Sequence, residues 1–295
     1  MKISVVGSIN IDMDIVAERI PLKGETVKGS DIKYIPGGKG ANQAVSMARL
    51  GADVDFYGCV GDDTYGEILL KNLKNENINT NNIEIVKNEN SGMAIITIAE
   101  NDNTIVVIPG ANNYVSKDYV EKKESEILKS DLVVLQNEIP METIKYVIDL
   151  CYKNNIDVLL NPAPAFKVEK ELLDKVTYLT PNEHEAKLIF GENVSIDEML
   201  RMHPNKLIIT LGSKGAIFAN EKLEIINLPA RKAKVVDTTG AGDTFNGAFA
   251  VRISQGYDME EALSFANIAA SLSTEKFGAQ TGMPTLSEVL ETKEK

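Results

Sequence analysis

Leu132-Val-Val-Leu135, then Met141-Glu-Thr-Ile-Lys-Tyr-Val-Ile-Asp-Leu-Cys-Tyr-Lys153, then Val158-Leu-Leu160: an unbroken apolar run, a segment with apolar residues three and four apart, and a second apolar run. Runs of this length read as strands buried on both faces, and the middle segment reads as a helix with one apolar side. The unit is therefore βαβ, and it recurs outward in both directions. Strands are expected at Ile3 to Val6, Val54 to Tyr57, Tyr178 to Thr180 and Leu207 to Leu211, and helices at Ala41 to Leu50, Tyr65 to Leu73 and Asn182 to Phe190. The fold class that follows is α/β, a doubly wound, mainly parallel sheet flanked by helices.

Two segments break the rhythm. Asp14 to Pro36 and Gly92 to Ile108 alternate apolar and polar residues, with Gly and Pro punctuation and no intervening helix, so a small extra sheet is expected from them. The last third changes character again, with a hairpin expected at Ala216 to Asn227, a strand at Ala233 to Val236, and helices at Ala241 to Gln255 and Met259 to Phe277. The asparagine-rich stretch from Asn72 to Asn90 reads as loops and helix ends. No repeat of 20 to 50 residues is present, which removes solenoids and propellers.

With 295 residues, 43% of them apolar, the chain can bury a large single core. Two cysteines, Cys59 and Cys151, make no disulfide framework, and two histidines, His184 and His203, make no zinc cluster, so a cytoplasmic setting is expected. The N-terminus enters a strand directly, without the pattern of a signal peptide, and no apolar run nears a membrane span. A net charge of −12 argues against nucleic acid as a partner, while one small phosphate ligand needs only local N–H groups, a lysine or two and a cation.

Three segments carry chemistry. In Asp237-Thr-Thr-Gly-Ala-Gly-Asp243-Thr-Phe-Asn-Gly247, Gly240, Ala241 and Gly242 open a strong helix, and their converging N–H groups with the positive helix end form an anion hole. An isolated Asp there is ordinarily a helix-stabilising carboxylate. Beside two glycines, Asp243 can instead take a proton from a hydroxyl attacking phosphorus while the hole stabilises the phosphoryl charge. Gly37-Gly-Lys-Gly-Ala-Asn-Gln-Ala44 lacks Walker A spacing; its glycines clear space for Lys39 and Asn42 to face a polar ligand, or it is simply a turn before a helix. Gly7-Ser-Ile-Asn-Ile-Asp12 ends the first strand, where open α/β sheets bind ligands, and Asn10 and Asp12 share one side of an extended chain.

These segments, with Asn161-Pro-Ala-Pro-Ala165 and Thr180-Pro-Asn-Glu183, resemble the PfkB family of sugar and nucleoside kinases over essentially the whole chain. The resemblance implies an ATP-dependent kinase using Mg²⁺, and the segments Gly7 to Asp12 and Gly37 to Ala44 are similar to those of members acting on D-ribose at its 5-hydroxyl. It implies a sugar site of Asn10, Asp12, Gly38, Lys39, Asn42 and Glu138, with Asp243 as base and Gly240 to Gly242 as anion hole. It further implies that Asn182 and Glu185 organise the magnesium and phosphate region, and that Thr210, Gly212, Ser213, Gly215, Gly242 and Asn267 contact the nucleotide. An activating K⁺ is implied beside the hole, at Asp237, Thr239, Ser273, Lys276 through its carbonyl, Gly278 and Gly282. Residues 1–295 would form one kinase domain, with about 14–36 and 92–108 as a β lid that covers the sugar and pairs with a second copy in a homodimer.

The remaining polar residues carry blander readings: His184 as a surface or supporting residue, His203 as loop, Cys59 as core, and Lys214 as either a phosphate guide or a turn lysine. Other acceptors, namely deoxyribose, fructose or a nucleoside, stay open. So does a non-catalytic sensor that keeps the pocket, against which the intact Gly240 to Asp243 argues. A dinucleotide dehydrogenase lacks its G-x-G-x-x-G after the first strand.

Overall fold

A computed structural model describes residues 2–100, 102–166 and 169–293. Its central sheet has five parallel strands in the order Tyr178–Leu179, Asp157–Asn161, Leu132–Gln136, Lys2–Val6 and Asp53–Tyr57. Alternation along these strands sends side chains into two separate cores. Ile3, Val5, Phe56, Leu132, Val134 and Leu159 face one helical layer, whose members include Lys39–Arg49, Ala241–Ser254 and Met259–Ser273. Val6, Tyr57, Val133, Leu135, Val158 and Leu160 face the other, with Met141–Lys153 and Glu183–Phe190. Every position in the strands Leu132–Gln136 and Lys2–Val6 except Lys2 is buried, as an unbroken apolar run between two helical layers requires.

A separate sheet of four strands lies apart from this frame, in the order Gly29–Gly37, Asn10–Ala17, Gly92–Ala99 and Asp102–Ile108. Its second strand pairs antiparallel with the first and parallel with the third. It begins at Asn10, four residues before the expected Asp14, so Asn10 and Asp12 belong to this sheet and not to the end of the first strand. Gly7 to Ile9 is the link, with Gly7 N–H still donating to the Tyr57 carbonyl of the central sheet.

Three further expectations need correction. Ala233 to Val236 forms no strand, because Val236 N–H is taken by the Thr274 carbonyl and no strand runs alongside. The helix from Met259 stops at Ser273 and does not reach Phe277; the Thr274 hydroxyl turns back to the Ser271 carbonyl, and Gly278 follows at φ 86°. Within Asn72 to Asn90 a short strand, Glu84–Val86, pairs with Cys59–Gly61. The expected hairpin is present as Ala216–Ala219 and Ile225–Leu228, joined by Ile208–Thr210 into a three-stranded sheet that abuts the central one through Leu179 and Leu207.

Candidate active site

Asp243 sits in the first turn of the helix Ala241–Ser254, only 7% exposed. The helix starts at Gly240 in a left-handed conformation, φ 74°, and glycine offers no side chain to cap it. Ala241 N–H goes to the Thr238 carbonyl, which leaves the N–H groups of Gly242 and Asp243 to an anion. An added Cβ at Gly240 would lie 2.8 Å from the Ala279 Cβ, so a side chain is excluded there by space as well as by φ.

The Asp243 carboxylate is held from the neighbouring helix. Asn42 Nδ2 donates to Oδ2 at 2.9 Å, and Gln43 Nε2 donates to Oδ1 at 3.1 Å. The two helices can approach this closely because residue 247 is glycine: a Cβ there would fall 2.5 Å from the Ser46 hydroxyl. Gln43 is buried and was not singled out from sequence, although it stands in the quoted glycine-rich segment. Asn42, expected on the sugar, spends its amide oxygen on Gln280 and one N–H on Asp243.

On the side of the first strand, Ser8 and Glu138 tie the glycine-lysine turn down. Ser8 Oγ donates to Glu138 Oε2 at 2.6 Å, Lys39 N–H donates to the same oxygen at 2.9 Å, and Gly40 N–H donates to Ser8 Oγ. Gly38 has φ 88°, and a Cβ there would meet the Asn10 nitrogen at 2.8 Å. Asn10 is 3% exposed, and its Oδ1 accepts from Asn112 Nδ2 at 2.7 Å. Asn112 is itself oriented, because its Oδ1 takes the Ile9 N–H. Asn10 therefore presents its N–H groups to a ligand, and Asp12 its oxygens. Gly37 and Gly92 are what allow this, since Cβ atoms there would fall 2.2 Å from the Asp12 carboxylate and from the Asn10 amide oxygen. Nothing in the sequence around Asn112 pointed to it.

Charges crowd here. Burial, then the Asp14, Glu138 and Asp243 carboxylates, raise Asp12 to about 7, with Lys39 pulling the other way. Lys39 is pushed down by burial, but Asp243, Glu138, Glu185 and Asp12 outweigh that and hold it above its ordinary value. A cation that four carboxylates surround stays charged.

Two clefts border this cluster, one through Asn10 and Glu138 and the other through Gly242. One, about 610 Å³, is lined by Asn10, Asn112, Asn137 and Glu138 with Val107 and Ile139. The other, about 560 Å³, is lined by all six residues expected to contact the nucleotide, Thr210, Gly212, Ser213, Gly215, Gly242 and Asn267. Its wall includes Arg231, Lys232 and Thr238, which sequence reasoning missed, and Ala233 and Val235 of the expected strand. Asn267 Nδ2 donates to the Leu228 carbonyl. Lys39, bound through its N–H to Glu138 of the first cleft, is drawn by Asp243, whose neighbour Gly242 lines the second.

Asn182 caps the helix Glu183–Phe190 and forms a reciprocal pair with Glu185, each side chain accepting the other's N–H at 2.8 Å. Glu185 is near enough to raise Lys39, so it faces the same ground. Asp237 is buried in part, which opposes its charge, yet the Thr239 hydroxyl and N–H and the Gly278 N–H hold it below the usual carboxylate range. The Ser273 and Lys276 carbonyls converge on Gly282, at 2.3 and 3.5 Å from where its Cβ would be. An ionised carboxylate and hard carbonyl oxygens are the donor set that a potassium-like ion takes. His184 is exposed on its helix, His203 packs against the Phe190 ring, and burial pushes Cys59 up to about 12, so none of the three joins the site.

The chain matches the model of the pfkB family carbohydrate kinases over residues 1–286. It is 48% identical over 290 residues to the ribokinase of Bacillus subtilis, covering 98% of each chain. Among solved structures, ribokinase from Thermotoga maritima superposes with a TM-score of 0.90 at 36% identity, over 99% of both chains. Arabidopsis thaliana ribokinase complexed with ribose and ATP superposes with a TM-score of 0.88 at 32% identity, over 98% of this chain and 97% of that one.

Proposed function

The chain belongs to the pfkB family of carbohydrate kinases, and on that premise we propose how its residues work. It is an ATP-dependent sugar kinase that moves the terminal phosphoryl group of ATP onto the 5-hydroxyl of D-ribose, giving D-ribose 5-phosphate and ADP. The observation that carries the reading is the Asp243 carboxylate, held by two amides at the opening of a glycine-started helix whose Gly242 lines the second cleft.

In the first cleft, Asn10 donates to, and Asp12 accepts from, neighbouring sugar hydroxyls, and Glu138, Gly38 and Lys39 close the turn over them. The 5-hydroxyl lies at Asp243. As its oxygen bonds to the γ-phosphorus, its proton passes to Asp243, and the bond from phosphorus to the bridging oxygen breaks with its electron pair leaving on ADP. Charge on the phosphoryl oxygens is met by the N–H groups of Gly242 and Asp243 and by the ammonium of Lys39. Thr210, Gly212, Ser213, Gly215 and Asn267 hold the nucleotide.

Magnesium would be carried on the phosphates and keep most of its water, with Asn182 and Glu185 facing it through that shell. When bound, it neutralises phosphate charge. A potassium-like ion would be held by Asp237 and the carbonyls around Ser273, Lys276 and Gly282, steadying the loop that abuts Gly240.

The four-stranded sheet acts as a lid within a single kinase domain, excluding water so that ATP is not wasted. Its residues Ile32, Tyr34, Ile105 and Val106 are each about half exposed, which supports pairing with a second copy into a homodimer. Two buried free cysteines support a cytoplasmic setting, and no helix among the described residues is long and apolar enough to cross a membrane.

The test is ADP release from ATP and Mg²⁺ with K⁺ present, offering D-ribose, 2-deoxyribose, fructose and adenosine in parallel. Fastest turnover on ribose is expected. A preference for another acceptor would withdraw ribose as the substrate, and no turnover on any would favour a sensor.

A further inference from the structure

The amides around Asp243 have a fixed polarity. A carboxylate only accepts, so both neighbours must turn N–H groups toward it. Gln43 Nε2 uses its two hydrogens on Asp243 Oδ1 and, at 3.0 Å, on Asn161 Oδ1. Its oxygen must then accept, and it does so from Gln136 Nε2 at 2.8 Å. That leaves Gln136 Oε1 buried with no hydrogen-bond partner among the described residues. An orphaned buried oxygen is costly, on the order of 1–3 kcal/mol, so its presence means that the polarity of the chain is imposed from the Asp243 end.

The second arm is built the same way. Asn42 Nδ2 donates to Asp243 Oδ2, so Asn42 Oδ1 faces Gln280 and accepts from its Nε2 at 3.0 Å. Gln280 Oε1 in turn accepts from Asn72 Nδ2 at 2.7 Å. Gln280 is 5% exposed, and its own backbone carbonyl is gripped by Arg49 Nη1. A rigid support thus stands behind each carboxylate oxygen, one rooted in the central sheet and one in the segment from Gly278 to Gly282.

We propose that Gln43 and Gln280 are positioning residues for the base, Gln43 directly and Gln280 through Asn42, fixing the plane of the Asp243 carboxylate and keeping both its oxygens hydrogen-bonded. This rests on the reading of Asp243 as the base. Neither glutamine lines either cleft, so their loss acts on the chemical step rather than on binding. A misplaced base lowers kcat while KM is kept, a split that a merely structural role would not give.

The experiment uses Gln43→Met and Gln280→Met, which keep length and remove the amide, with Asp243→Asn measured alongside. For each we would determine the thermal midpoint, ATP affinity by calorimetry, KM for ribose and ATP, and kcat. For Gln43→Met the expected result is kcat lower by roughly tenfold to a hundredfold, as for a misplaced catalytic group, with both KM values within about twofold. Gln280→Met lowers kcat by less, again with both KM values kept. A lower thermal midpoint with near-normal kcat, or with KM raised as far as kcat falls, would mean a merely structural role and overturn the proposal. If Gln43→Met does not fold, Gln280→Met decides alone by the same criterion. Turnover retained by Asp243→Asn would sink the base assignment itself, whereas an inactive Asp243→Asn beside glutamine variants of normal kcat would sink only the clamp.

Discussion

At the scale of single residues, Asp12 carries the plainest consequence for pH. Its folded value of about 7 stands above the 3.8 of a free carboxyl, raised first by burial and then by Asp14, Glu138 and Asp243. Between those two values the folded protein keeps a proton that the unfolded chain has lost, so this group's contribution to stability falls as pH rises through the window. Ribose needs the ionised form as acceptor. Expected, then, is a ribose kcat/KM that drops as pH falls below about 7, with kcat at saturating sugar changing less. Asp12→Asn should raise KM and remove that limb; a pH profile of the variant identical in shape to the wild type would refute the assignment. Asp243 and Lys39 could be read from sequence because glycines stand beside them, and Asn10 and Asp12 because they share one side of an extended chain. Asn112, Gln136 and Gln280 could not, since they act only by holding another side chain, and their partners lie 102, 93 and 238 residues away.

At the scale of elements, two glycines separate binding from chemistry. Gly247 lets the helix Ala241–Ser254 approach Lys39–Arg49, and a Cβ there would sit 2.5 Å from the Ser46 hydroxyl. Gly247→Ala should push the helices apart, costing about 1–3 kcal/mol of overpacking, and lower kcat by loosening the Asp243 clamp. Gly92→Ala places a Cβ 2.2 Å from both Asn10 Oδ1 and Asn112 Nδ2, so it should raise the ribose KM about tenfold or more, the loss of roughly one hydrogen-bonded contact, and leave ATP affinity unchanged. Calorimetric ATP titration with steady-state kinetics checks both. The central strands were legible because Leu132 to Leu135 and Val158 to Leu160 are continuous apolar runs, and Ile3 to Val6 and Val54 to Tyr57 are each broken by a single polar residue. The strand expected at Ala233 to Val236 failed for a physical reason: Val235 and Val236 remain about 60% exposed, Val235 as cleft wall, with no neighbouring strand to pair among the described residues. The short pair Cys59–Gly61 and Glu84–Val86 was missed because three residues carry too little periodicity.

At the scale of the whole molecule, the account joins a rigid frame to a small sheet bearing both Asn10 and Asp12, so the sugar site and the lid are one element. Pairing of two copies through that sheet should follow from its exposed Ile32, Tyr34, Ile105 and Val106. Light scattering is expected to give a dimer, and Ile105→Asp a monomer with a weaker hold on ribose; a wild-type monomer of full activity would remove the dimer from the account. Such pairing has no sequence periodicity of its own, which is why only the family resemblance suggested it. The central claim, that Asp243 takes the proton of the attacking hydroxyl, is tested most directly by single-turnover ADP release from Asp243→Asn with saturating ribose, ATP and Mg²⁺. The account predicts a rate lower by roughly a thousandfold with ATP affinity preserved. A rate within a few-fold of wild type would contradict it.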